Sequence, residues 1–355
     1  MSSPTPNGIL RRAAELGLLA LSLAGLALVF LQIPAGRATE LRASRAAPAP
    51  NPFPNFRRLH TGNYTIITDA SDATAQHTLE LLTTLRQQFL KEFAALIQPG
   101  ADPGPIEVVY FSHEADYRTS VRAIAPGLVN SAGLFSPQDN RLFLLDQFGS
   151  TDYRSAQQTL STQRRRLAAL PGIHHDDRLA ASVRLAEMRT AVVSEARLFT
   201  TRLTRHEGAH QLFHAYAIES AHPVAPTWLT EGLAQYCEAD EIGARDQLLI
   251  KRIKQARTLI PLRQLLNHRE PAGFFSLGED QIPTAYAQSW ALTFLLMQPG
   301  HQSGFFDFIK HYRDVPDADA AHRTRRENTA ATLVKFLGTD YLTLEKQWQE
   351  FVEKL

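Results

Sequence analysis

The stretch from Thr201 to Ala217, TRLTRHEGAHQLFHAYA, constrains this chain more than any other. His206 and His210 lie four positions apart, so on a helix their rings project from one face about one turn apart. That separation lets both imidazoles reach one tetrahedral ion. Glu207 sits one residue after the first histidine, near the rim of the same face. It is badly placed to bind the same ion but well placed to reach a water held there. The pattern H-E-x-x-H therefore offers two metal ligands and a general base.

A catalytic site of this kind needs a third protein ligand. The extension H-E-x-x-H-x-x-G-x-x-H fails, because Phe213 stands at the glycine position and Tyr216 at the third histidine. His214 is in phase with the helix face, but a third ligand on one straight helix is sterically awkward, so it reads as a core or supporting residue. The stretch APTWLTEGLAQYCE, Ala225 to Glu238, supplies a better candidate. Glu231 follows His210 by twenty-one residues. A loop containing Pro223 and Pro226 gives the chain room to double back, so a second helix can pack antiparallel. Glu231 then faces the histidines, and Trp228, Leu229 and Leu233 fill the interhelical core. The competing reading is a helix pair with coincidental polar residues. It would bury two histidines and two glutamates without purpose, which is costly.

H-E-x-x-H followed by W-L-x-E-G-L-A resembles the gluzincin zinc peptidases, the clan of thermolysin and aminopeptidase N. The second motif is closer to the aminopeptidase side. Within the clan the folded part resembles the bacterial peptidase-MA-like proteins, including a family described only as a domain of unknown function. In these a strand–helix–strand region precedes the zinc helix, and a later apolar helix opens with Y-x-x-S, here YAQSWALTFLL from Tyr286. The similarity spans roughly Asn63 to Leu355. It implies one Zn2+ per chain held by His206, His210 and Glu231, with Glu207 as base and a peptide or protein as substrate. Tyr286 is a candidate hydrogen-bond donor to the oxyanion of peptide hydrolysis; His301 and His222 are weaker ones. Cys237 falls off the ligand face and reads as a small core residue. No G-x-M-E-N stretch for a free amino terminus is present, so the pattern does not support an aminopeptidase.

The remaining sequence sets the frame. The 355 residues carry 44% hydrophobic and 21% charged side chains with a net charge of +1, which gives no reason to expect a nucleic-acid partner. One cysteine excludes an intrachain disulfide. Arg11 and Arg12 precede the apolar run LGLLALSLAGLALVFLQI, Leu16 to Ile33, just long enough to span a bilayer. Residues 1–38 therefore read as a signal peptide or signal anchor, and place the protein at the cell envelope, membrane-anchored or released after cleavage. Residues 39–55 have a Pro/Ala-rich linker composition.

Residues 56–152 read as a small α/β subdomain. Strands are expected at Asn63 to Ala70, Ile106 to Ser112 and Arg141 to Gln147, with a helix capped by Ser71 or Asp72 running to about Ile97 and a loop over Ser131 to Asn140. Residues 153–200 read as an inserted helical pair, with Arg164 to Arg166 on a solvated face. His174, His175, Asp176 and Asp177 are adjacent in a turn, where neighbours seldom converge on one ion. Residues 201–355 read as a helical zinc-site subdomain. Its helices are expected at about 204–219, 227–239, 246–258, 286–297 and 305–312, and from 329 to the end with breaks. The fold class is α+β: a small α/β N-terminal layer followed by a mainly helical half, zincin-like by the resemblance.

Overall fold

The computed structural model describes residues 53, 55–137, 140–219, 225–269, 274, 277–278, 280–315 and 326–355. The expected signal segment and nearly all of the linker lie outside these residues, as does His222. Among the described residues no helix is long and apolar enough to cross a membrane.

The fold is α+β. Strands β1 (Arg57–Thr61), β2 (Tyr64–Thr68), β3 (Ile106–Phe111), β4 (Gly133–Ser136) and β5 (Arg141–Leu145) form one sheet in the order β1-β2-β3-β5-β4. The three central strands are parallel and the two outer ones antiparallel to their neighbours. Strand side chains alternate between faces. Ile66, Val108, Tyr110, Phe135, Leu142 and Leu144 pack into the main core, whereas Val109, Phe111, Leu134, Phe143 and Leu145 form a second cluster on the other face. Helix α1 (Asp72–Glu92) covers the first face and α2 (Glu114–Ile124) the second. Ser71 caps α1 by accepting from the Thr74 N–H, as its sequence position suggests.

Three elements depart from the sequence expectation. The loop expected at Ser131 to Asn140 contains β4, whose GLFS sequence has weak intrinsic strand preference. Pairing with the apolar β5 overrides it. Helix α1 stops at Glu92 rather than near Ile97, ahead of Pro99. The helix expected from about Thr204 does not start there. After α3 (Thr151–Ala169), a single helix α4 runs from His175 to Ala215. Its 41 residues make it about 60 Å long. No proline interrupts this run, and the helix formers Ala, Arg, Leu, Met and Glu make up about half of its first half.

The two ends of α4 have different surroundings. Its first half packs on α3 through a separate small core of Leu160, Leu167, Ala181, Leu185 and Val192. Its last turns enter the protein, where every residue from Leu203 to Phe213 is buried. The helical half continues with α5 (Thr227–Tyr236), α6 (Gln247–Gln255), α7 (Leu262–Asn267), α8 (Ile282–Leu296), α9 (Gln302–Arg313), α10 (Thr329–Leu337) and α11 (Tyr341–Glu353). Sequence patterning anticipates neither β1, α2 nor the six-residue α7.

Candidate metal centre

Helices α4 and α5 bring His206, His210 and Glu231 together. One ligand atom from each lies within 4.8 Å of the others. The Nε2 atoms of the two histidines are 3.2 Å apart, and Glu231 Oε2 is 3.5 Å from His206 Nε2 and 4.0 Å from His210 Nε2. A tetrahedral ion with bonds of about 2.0–2.1 Å separates its ligand atoms by roughly 3.3 Å. The three edges come close to that triangle before any ion is placed in it.

Local sequence explains the convergence. His206 and His210 are one turn apart on α4, and small Gly208 and Ala209 between them let α4 pack closely. On α5, Glu231 is followed by Gly232, which rests against α8. A Cβ there would stand 2.6 Å from the Ser289 carbonyl oxygen. Trp228 stacks on Phe305 and Phe308 of α9, anchoring the start of α5 from the far side. Its ring therefore contributes to packing beyond the α4–α5 seam expected of it. Leu229 and Leu233 join the main core.

Glu207 is fully buried beside the triangle but outside it. The close approach of β4 fixes it: a Cβ on Gly133 would meet Glu207 Cγ at 2.8 Å. The Leu145 N–H bonds to the Ala132 carbonyl, so in the alternating antiparallel pattern the backbone groups of Gly133 and Phe135 point away from β5. The Phe135 N–H favours the ionised form of Glu207, but neither carboxylate oxygen has a full hydrogen bond among the described residues. Burial pushes its pKa up to about 8, against the attraction of His206.

The sequence reading missed Glu238. Its Oε1 lies 2.7 Å from His206 Nδ1, and its Oε2 forms an ion pair with Arg202, which also pairs with Asp246. Metal-bound histidines usually hold a carboxylate or carbonyl on the second ring nitrogen, which fixes the tautomer and ring orientation. Spacing offered a signal, since Glu238 follows Glu231 by seven residues, two helical turns. Burial opposes a charge on His206, but Glu231 and Glu238 outweigh it and lift its pKa to about 10. His210 is held well below the usual range by burial and by the charge of His206. Glu231 is raised, chiefly by burial.

The donor set fits a dication. Glu207, Glu231 and Glu238 converge on two histidines, and Arg202 is committed to Glu238 and Asp246. Two imidazole nitrogens and a carboxylate oxygen therefore meet at one buried point, and carboxylate and imidazole donors suit a dication such as zinc. His214 stands outside the triangle, half-buried with its ring 5.3 Å from Phe135. Tyr286 lies in the buried part of α8, in its second turn, and packs edge-on to Phe274 at 5.2 Å. It lies one turn before Ser289, on the side of α8 that meets Gly232. His301 precedes α9 and belongs to no metal-binding group among the described residues, nor do His174, His175, Asp176 and Asp177. Cys237 is buried and its carbonyl accepts from Arg205 Nε at 3.0 Å. A second group, Asp69, His113 and Asp116, is largely exposed, and Asp69 is taken up by the N–H and hydroxyl of Ser112.

A family described as Protein of unknown function (DUF1570) matches residues 201–316, a span that holds both ligand helices and continues through α9. No curated protein matches the chain.

Proposed function

We propose that the chain is a zinc-dependent hydrolase of the gluzincin type that acts on peptides at the cell envelope. The observation that carries this is the near-tetrahedral triangle of His206, His210 and Glu231 with a buried carboxylate, Glu207, adjacent to it and taken up by no cation or side-chain hydrogen bond among the described residues. A structural ion has no use for such a group, and burying one is costly.

His206, His210 and Glu231 hold the ion, and Glu238 fixes the ring of His206. When bound, zinc supplies Lewis acidity, polarising a carbonyl and lowering the pKa of a coordinated water to about 7. Glu207 accepts the proton of the attacking water and delivers it to the nitrogen of the leaving amine. Its raised pKa suits a group that must both take and return a proton near neutral pH. Tyr286 is assigned to donate a hydrogen bond to the developing oxyanion. An extended peptide is a fitting substrate because β4 is an edge strand, with the backbone groups of Gly133 and Phe135 turned outward next to Glu207. The apolar run from Leu16 to Ile33 supports the envelope location.

One observation favours a second reading, a non-catalytic zinc module tethered at the envelope. His206 and His210 are fully closed to solvent and Glu231 is 1% exposed. The deciding measurement is metal content of the purified full chain and of Glu231→Ala, followed by hydrolysis of a peptide library. About one zinc per chain, lost in the variant, with peptide cleavage that Glu207→Gln abolishes, is the expected result. Retained zinc without cleavage favours the module, and no zinc in either protein removes both readings.

A further inference from the structure

The arm formed by α3 and the first half of α4 has no task in the chemistry above. Phe199 is the first α4 residue that packs against the main core. The start of α4 therefore lies about 35 Å beyond that point along the helix axis. Gly172, with a left-handed φ of 71°, turns the chain at the tip. Arg178 closes the turn, donating from its guanidinium to the Ala168 and Leu170 carbonyls at 2.9 and 2.8 Å. The tip is thus held in place by its own hydrogen bonds and by the small core of the arm.

Apolar exposure is concentrated on this arm. Among the described residues seven large hydrophobic side chains are exposed, and Leu170, Leu179, Val183 and Leu198 of the arm are four of them. Leu170 sits in the turn, while Leu179 and Val183 lie one turn apart on the same face of α4. Beside them, Arg164, Arg165 and Arg166 are exposed near the end of α3 and enter no ion pair or hydrogen bond among the described residues. Over residues 151–200 eight arginines outnumber five acidic residues. Two of those acids, Asp176 and Asp177, occupy the first turn of α4, where the helix dipole favours them.

Uncommitted cations next to exposed apolar side chains suit an anionic lipid surface, which takes up both. A second copy suits the tip less well, because two arms with this excess of arginine repel each other. The tether agrees with a lipid partner. From Ile33, where the apolar run ends, to Phe53 the chain can span at most about 70 Å. That exceeds the reach of the arm, so an anchored chain can stand on it.

We propose that the tip of the α3–α4 arm is a second membrane contact, with Arg164, Arg165 and Arg166 on anionic headgroups and Leu170, Leu179 and Val183 in the interface. The inference rests on the envelope location read from the apolar run and is independent of the zinc chemistry. Because α4 also carries His206, the contact sets the metal centre about 45 Å from the tip along the helix axis.

The test uses the full chain in vesicles of phosphatidylcholine, alone or mixed with phosphatidylglycerol, each carrying a headgroup nitroxide quencher. A fluorophore is attached at Ala180→Cys on the arm, or at Leu342→Cys on α11 as a control; Cys237 is buried and does not compete. Phosphatidylglycerol should produce quenching at the arm label and not at the control, and high salt should relieve it. Arg164→Gln, Arg165→Gln and Arg166→Gln combined should lower the ratio of contacting to free arms by at least about tenfold. Leu179→Gln with Val183→Gln should lower it as well, and both pairs of side chains are exposed enough for the fold to persist. Quenching that is equal in neutral vesicles, equal at the control label, or unchanged in either variant overturns the inference and leaves the anchor reading intact. So does self-quenching between arm labels that persists in neutral vesicles, which assigns the arm to a second copy. Failure of the full chain to enter either vesicle removes the anchor reading and the inference with it.

Discussion

His206 Nδ1 lies 2.7 Å from Glu238 Oε1, so the residues just past the helix that delivers Glu231 to the metal triangle orient the first histidine from behind. Glu238→Ala should keep the fold but weaken zinc binding by about 10–100-fold, the usual cost of losing a carboxylate behind a ligating histidine. Competition with a chelator of known affinity measures this. An unchanged zinc affinity would mean that the Glu238 contact does not orient His206.

Arg202 holds both Glu238 and Asp246, the residue that caps α6. Arg202→Ala removes the cation that both of these buried carboxylates contact. The expected cost is about 3–5 kcal/mol in urea unfolding. Glu238→Ala in the same background should restore part of that loss, and strictly additive effects would show that the pair is not coupled.

Glu207→Gln separates chemistry from binding. The variant should retain about one zinc per chain and lose peptide hydrolysis by at least about 100-fold, the low end for general acid–base catalysis. Its metal-free form should be at least as stable as wild type, since a buried unpaired carboxylate has been neutralised. Loss of zinc together with activity would place Glu207 among the ligands instead.

The metal-free protein should lose stability as pH rises. Glu207 and Glu219 have folded pKa values near 8, above the unfolded value of 4.5, so between these values the folded chain binds more protons than the unfolded one. His206, lifted from 6.5 to about 10, acts in the same direction above neutrality. His210, depressed by burial, opposes the trend only below the unfolded value of 6.5. Melting temperature without metal should therefore fall steadily from pH 6.5 to 9. Zinc should flatten the slope, because its ligands bind it in deprotonated form. A metal-free melting curve that rises over this range would contradict the assigned directions.

Gly232→Ala tests the seam that carries Glu231. The added methyl meets a helix backbone oxygen of α8 that has little freedom to move, and overpacking of this kind costs about 1–3 kcal/mol. Because Glu231 is the adjacent residue, zinc affinity should fall with stability. Calorimetric melting and chelator competition on the same sample report the two effects.

Spacing alone determined much of this site. His206 and His210 share a face because a helix repeats every 3.6 residues, and that relation holds wherever the helix is placed. The W-L-x-E-G stretch marked Glu231 on a second helix, and the apolar patterns of α1, β2, β3 and β5 were legible for the same short-range reason. The tertiary structure alone decided which groups meet across elements. Glu238 turns toward His206 rather than solvent because α5 is pressed between α4 and α8. The GLFS segment becomes β4 because β5 offers it a partner, and Glu207 is enclosed because β4 has a glycine where α4 crosses it. The expected helix start near Thr204 falls inside α4, since helix-forming residues continue through it and α3 covers the exposed half. Some of these contacts join residues far apart in the chain and others join neighbouring elements, but all of them depend on packing and not on local periodicity.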